Sequence, residues 1–330
     1  MESQKESHPQ YIPYPPHHTQ TREDTVELIE VFTALWKKKW VIISVTLVSA
    51  ISSVLFALSL PNMYKADAIL SPTESASGGG LSQMAGQLGG LAALAGVNIG
   101  GAESSNTDLA IQVLKSRQFI NSFIKKHDLL VPLMAVSEWN LEQNTLVINE
   151  DVYDQSKKEW LRAPQGLRGA TPTAQEAYEE FVKNVLIINQ DKETGFYTLS
   201  IKHYSPYIAQ EWLNWIIADL NKVMRERAIS ETSQNLAYLN EQLQKTAVAD
   251  MQSAFYKLIE EQTKSLMLAE VQEEFVFKVV DPAVVPEIKD GPNRALICMV
   301  GTFLGGLLSV GIVLVLFMFE RNRKVSITNQ

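Results

Sequence analysis

The 330-residue chain has a single cysteine, Cys298, and it falls inside a long uncharged run. A disulfide framework and a multi-cysteine zinc site are therefore excluded within one chain. Basic residues are in deficit, 29 Lys and Arg against 37 Asp and Glu for a formal charge of −8. No segment supplies the positive surface that a nucleic-acid backbone requires. Catalytic signatures are missing as well: there is no Gly-x-x-x-x-Gly-Lys-Ser/Thr phosphate loop, no His-Glu-x-x-His, no Gly-x-Ser-x-Gly and no Cys-x-x-Cys. His127 and His203 stand alone in sequence and read as structural or surface residues. The Glu pairs at 179–180, 260–261 and 273–274 read as solvated helix faces. No catalytic, cofactor-binding or metal-binding residue is predicted.

Two uncharged segments, residues 40–60 and 295–319, are present at opposite ends of the chain. Each is long enough as a helix to cross a hydrocarbon core of roughly 30 Å. Lys37, Lys38 and Lys39 abut the first, with Trp36 and Trp40 at interfacial positions; Arg321, Arg323 and Lys324 follow the second. By the positive-inside tendency both termini lie in the cytoplasm and residues 61–292 on the far side. The late start of the first apolar run argues against a cleaved signal peptide.

This divides the chain into a cytoplasmic tail with a juxtamembrane helix (1–39), a first span (40–60), an extracytoplasmic domain (61–292), a second span (295–319) and a short tail (320–330). Residues 1–20, with Pro9, Pro13, Pro15 and Pro16, are too polar to bury a core. Val26, Ile29, Phe32 and Trp36 give a short amphipathic helix or a plain extension of the span. Strands are expected at 64–70, 185–188, 196–201 and 275–280, the middle two joined by a polar loop ending in Gly195. Trp139 and Trp160 are expected as core anchors. Thr171-Pro172-Thr173 opens one helix, and Ser205-Pro206 opens a longer one by placing a capping hydroxyl before proline.

That longer helix carries Ile208, Trp212, Ile216, Leu220 and Val223, then Ile229, Leu236 and Leu243 at steps of seven. No Pro or Gly interrupts residues 207–275, so a long helical region (206–274), even if bent once near 247–253, is expected to stand out from a base made of 61–205 and 275–292. Forty residues of it would extend roughly 60 Å. Pro282, Pro286 and Pro292 then make a stiff linker to the second span. Residues 75–101 carry no charge and hold nine of the 17 glycines, reading either as a mobile loop or as a subunit contact. Gly301, Gly305 and Ser309 form a small-residue seam, with Ser49 and Ser53 at the same spacing in the first span. The seam serves either the two spans of one chain or a neighbour.

The layout resembles the bacterial chain-length determinant (Wzz-type, polysaccharide co-polymerase) family. The stretches that carry the resemblance are VELIEVFTALWKKKW at 26–40, MYKADAILSP at 63–72, LKSRQFI at 114–120, SPYIAQEWLNWII at 205–217 and VVDPAVVPEIKDGPNRAL at 279–296, followed by GTFLGGLLSVG at 301–311. The resemblance implies an α+β fold: a periplasmic α/β base with a long protruding helix, flanked by two transmembrane helices of the inner membrane. It also implies a non-enzymatic homo-oligomer that sets the modal length of O-antigen or a related surface polysaccharide. Its partners would be a Wzy-type polymerase, the lipid-linked or growing polysaccharide and membrane lipids. No cofactor is implied, and the phosphate loop of the larger kinase-bearing relatives is missing. The residues expected to matter are Gly301, Gly305 and Ser309 with Trp212 and Leu220 for packing and assembly, and the three linker prolines. An adaptor coupling polysaccharide to its export machinery is the alternative, and a membrane-bound hydrolase the least supported reading.

Overall fold

The computed structural model describes residues 28–73 and 105–328. The tail at 1–20 and the glycine-rich stretch at 75–101 lie outside the described residues. Two compact units are formed, one holding the two apolar helices and the other spanning Phe56–Arg294.

In the first unit, α1 (Leu28–Lys37) precedes α2 (Lys39–Ser59), and α9 (Arg294–Thr328) returns at the end of the chain. Lys39–Ser59 and Arg294–Phe319 are each long and apolar enough to cross a membrane, and only 6% and 17% of their most apolar windows are buried in the protein. Core helices of a soluble protein would be mostly covered, so these are surfaces suited to lipid.

The second unit is built on a four-stranded antiparallel sheet, ordered β6 (Leu186–Gln190), β7 (Tyr197–His203), β1 (Tyr64–Pro72), β8 (Phe277–Asp281). The expected strands are all present. β1, which begins only five residues after α2, is central, pairing with β7 from Tyr64↔His203 to Leu70↔Tyr197 and with β8 across a register shift at Ile69/Leu70. Its buried residues alternate as Ala66, Ala68 and Leu70, the period of a strand with one face in the core. The two alanines admit α7 (Pro206–Lys245), which packs on β1 and β7. The β6–β7 loop closes as expected, with Asp191 Oδ1 accepting from the Glu193 and Thr194 amides and Gly195 at φ +74°.

Between β1 and β6 come α3 (Ser105–Leu114), α4 (Arg117–Lys126) and α5 (Leu130–Met134), two small hairpins, and α6 (Ala174–Glu180), which runs into a π-helical turn at Phe181–Val185. Hairpin β2–β3 is Val136–Asn140 with Thr145–Ile148, and β4–β5 is Tyr153–Asp154 with Glu159–Trp160. Thr173 caps α6 through a reciprocal box: its Oγ1 accepts from Glu176 N at 3.2 Å, and Glu176 Oε2 accepts from Thr173 N at 2.9 Å. Arg162 grips the same carboxylate and the carbonyls of Gly169 and Ala170, fastening the preceding loop. The Arg162 guanidinium, aided by the Thr173 amide, holds the Glu176 carboxyl down to about 2.

Trp139 and Trp160 do not reach the core. Both are half-buried, Trp139 between Tyr64 and Tyr207 and Trp160 against Tyr153. The core tryptophan is Trp212, 2% exposed and packed on Phe181 and His203. Apolar size alone does not say whether an aromatic fills the centre or covers a hairpin.

The long helical region differs most from expectation. α7 stops at Lys245, and α8 (Ala249–Val271) folds back along it, bringing Gln272 O within 3.5 Å of Arg225 Nη1. The connection needs no Pro or Gly, because Thr246 and Val248 take extended φ/ψ and the chain reverses in three residues. The first half of α7 belongs to the core, which contains Ala209, Trp212, Leu213, Ile216, Ile217, Leu220 and Met224 and then no residue until Phe275. Only about 20 residues stand clear of the core, roughly 30 Å of helix in place of 60.

His203 at the end of β7 is buried, its Nδ1 accepting from Ser205 N at 3.1 Å and its Nε2 donating to Pro132 O at 3.2 Å. Burial pushes its pKa down from 6.5 to about 4. Below pH 6.5 the unfolded chain takes up a proton that the folded one refuses, so this contribution is intact at neutral pH and is lost between about pH 6.5 and 4. At full extent the shift corresponds to about 3 kcal/mol. Thermal unfolding of the detergent-extracted protein should therefore show Tm falling across that window, and a His203→Gln variant should show a flatter profile over the same range.

Candidate assembly and membrane-helix surfaces

The seam of α9 faces α2 of the same chain. Ser49 Oγ donates to Gly301 O at 3.0 Å, and Thr46 Oγ1 lies 3.4 Å from Ser309 Oγ. A Cβ on Gly301 would fall 2.5 Å from Ser53 Cβ, and one on Gly305 would collide with Ser49. The glycines thus bring two backbones close enough for serine hydroxyls to reach across. Gly306 and Gly311 meet nothing within 4 Å.

Trp212 and Leu220 are 2% and 1% exposed. They lie inside the chain's own core and present no surface to a neighbour. The heptad positions beyond them are occupied within the chain: Thr232, Leu236, Leu239 and Leu243 of α7, and Phe255, Ile259, Leu266 and Ala269 of α8, are the less exposed positions of the hairpin. Its outer surface leaves Tyr238, Tyr256 and Met267 each 61% exposed and Val271 81% exposed. These large apolar groups are left uncovered on the hairpin.

Sequence reading missed the residue that joins hairpin to base. Asn221 is buried on α7; its Oδ1 accepts from Val276 N at 2.9 Å and Phe277 N at 3.0 Å, and its Nδ2 donates to Phe277 O at 2.9 Å. It satisfies the start of β8, which otherwise has unpaired backbone where the chain leaves α8. A polar residue on an apolar helix face is the signal that marks it. Nearby, Asp219 is held by Lys126 and by His127 Nε2 at 2.9 Å, and the His127 ring stacks on Trp215 at 4.4 Å. Both isolated histidines therefore have packing partners. Among the described residues no group of three or more His, Cys, Asp or Glu is placed to hold a metal ion.

The linker prolines lie on an irregular path that is nonetheless pinned. Gln210 Nε2 donates to Ala283 O at 2.9 Å, Asp290 pairs with Lys202 at 2.7 Å, and Met63 and Gly291 exchange backbone bonds of 2.9 and 3.3 Å. Pro292 follows a cis peptide bond. Both ends of the unit leave side by side, with Arg294 donating to Leu60 O at 3.1 Å.

Residues 24–127 match the family model described as Wzz, chain length determinant protein. Through this segment the chain is similar to the Wzz family. The match takes in the resemblances at 26–40, 63–72 and 114–120, while those at 205–217 and 279–296 lie beyond it. Similar solved structures include a full-length bacterial polysaccharide co-polymerase, at 15% identity over 89% of this chain and 99% of that one, with a TM-score of 0.36. A fragment of WzzB, the polysaccharide co-polymerase from Salmonella Typhimurium, is 13% identical over 69% of this chain and 99% of that one, with a TM-score of 0.29. A point mutant of the Shigella flexneri lipopolysaccharide O-antigen chain-length regulator WzzBSF is 13% identical over 69% of this chain and all of that one, with a TM-score of 0.18. No curated protein matches the chain.

Replacing Asn221 by Ala strands the Val276 and Phe277 amides in the interior, at about 1–3 kcal/mol for each unsatisfied group. Denaturant titration should place the Asn221→Ala variant several kcal/mol below the parent, and an unchanged midpoint would contradict the assigned role. In the spans, Gly305→Leu should lower the yield of correctly extracted protein by forcing α2 and α9 apart, whereas Gly306→Leu should not; comparing the two by size-exclusion chromatography checks the assignment of faces.

Proposed function

We propose that this protein regulates the modal chain length of O-antigen or a related surface polysaccharide, without itself catalysing a reaction, as a homo-oligomer acting with a Wzy-type polymerase. The observation that carries the reading is the Wzz match over residues 24–127 in a chain with an apolar helix at each end of one α+β unit. Both termini are assigned to the cytoplasm on the basic flanks Lys37–Lys39 and Arg321, Arg323 and Lys324, which assigns residues 61–292 to the periplasm of an inner-membrane protein. The domain limits 61–292 and 295–319 are retained on the same ground.

The mechanism is steric. The outer surface of the α7–α8 hairpin, with Tyr238, Tyr256 and Met267 uncovered, supplies contacts between protomers. The α9 positions Gly306 and Gly311, left free when Gly301 and Gly305 are occupied by α2, supply contacts within the membrane to another protomer or to the polymerase. An assembly held this way biases when extension stops by positioning its partners. The linker of Pro282, Pro286 and Pro292 transmits that position between membrane and periplasm.

Deleting the gene and resolving the surface polysaccharide on a gel tests the reading. The expected result is loss of the modal band cluster while polymer still reaches the surface; an unchanged distribution overturns it, and polymer retained inside the cell favours the export adaptor. A Gly306→Leu variant, expressed at normal level, should shift the modal length without abolishing polymer, and unchanged banding would remove the α9 face from the mechanism.

A further inference from the structure

A second polar feature lies where α7 leaves the core. Between α7 and the segment that returns from α8 to β8 is a cleft of about 350 Å³, walled by Asn214, Lys222 and Arg225 on one side and Glu273 and Glu274 on the other. Its size is that of the smaller ligand sites. The apolar part of the lining comes from Ile217, Ala218 and Val279.

The polar groups have hydrogen-bonding capacity to spare. Asn214 and Glu273 have no side-chain partner among the described residues. Lys222 meets only Glu226, at 3.8 Å, and Arg225 makes a single long bond to Gln272 O at 3.5 Å. Glu274 accepts from Val279 N at 3.1 Å. Two basic and two acidic groups cancel, so neither a phosphate nor a metal cation is favoured as occupant. An amide, two bases and two carboxylates together donate to and accept from paired hydroxyls, and the aliphatic floor suits a ring that presents C–H on its face. Asn221, which also lines the cleft, ties its two walls together through three bonds to Val276 and Phe277. A site supported in this way is preorganised.

We propose that this cleft is a saccharide-contact subsite, holding one or two neutral sugar rings of the polysaccharide chain. The proposal rests on the chain-length reading and adds the place where the protein touches the glycan. It also gives the α7–α8 hairpin a second role, since the cleft lies at its root, where the position of the return segment sets the cleft width.

The test uses the full chain in lipid nanodiscs, titrated calorimetrically with the delipidated surface polysaccharide of the strain that carries the gene. Ala218 is exposed, so Ala218→Trp fills the cleft without entering the core. A double variant, Asn214→Ala with Glu273→Ala, removes polar contacts at two other exposed positions. Both should weaken binding by about tenfold or more, while Gln234→Ala on the exposed part of the hairpin should leave it unchanged. Absence of binding by the parent, or equal binding by all variants, overturns the subsite. A change in oligomer size without a change in affinity overturns it in favour of a protein contact. Deletion-strain banding tests the chain-length reading separately: modal banding lost on deletion but calorimetric affinity indifferent to Ala218→Trp rejects the cleft alone.

Discussion

Met63 and Gly291, 228 positions apart, share backbone hydrogen bonds, and the rest of the extramembrane unit depends on that closure. Lys202–Asp290, Lys289–Asn62 and Arg294–Leu60 reinforce it. Closing so long a loop costs several kcal/mol of chain entropy, though the cost grows only logarithmically with length. The sheet repays it: β1, directly after the first apolar helix, is central and pairs with β7 and with β8, the last strand before the second. The entry strand and the exit strand are therefore neighbours, and whatever lies between them is held at its two ends by one structure.

α7 serves two structures in succession. Its first half buries Trp212, Leu213, Ile216 and Leu220 against the sheet; its second half buries Leu236, Leu239 and Leu243 only partly, against α8. Asn221 stands near the change and binds the return segment to the helix. The apolar surface on the arm and the polar cleft at its root follow from this division. A helix wholly in the core would expose neither.

Features fixed by local chemistry were legible in the sequence. Ser205-Pro206 and Thr173 start helices because a hydroxyl accepts from an amide three residues on, and the 186–203 hairpin follows from alternation around a polar turn. The sequence allows for a single bend near 247–253, but the full fold-back at 246–248 was not legible, because a chain reversal made with ordinary residues leaves no Pro or Gly signature and the steps of seven look the same whether the partner helix is in this chain or another. Asn221 and the His127–Asp219 contact were hidden by separations of 55 and 92 residues. Trp139 and Trp160 show the opposite failure, large side chains whose burial is decided by hairpins that sequence barely marks. In the apolar helices the small-residue spacing was visible, but the choice of partner was not. Ser49 and Ser53 opposite Gly305 and Gly301 settle that one face is used within the chain.

Because α7 runs unbroken from Pro206 to Lys245, it works as a stiff beam clamped in the sheet at one end and loaded at the other. A sideways push at the Lys245 tip turns about a pivot near Asn221 and reaches the β7 junction as torque, with no hinge between to absorb it. A displacement of the hairpin tip is thus registered as tilt at β1 and β7, the strands on which α7 packs.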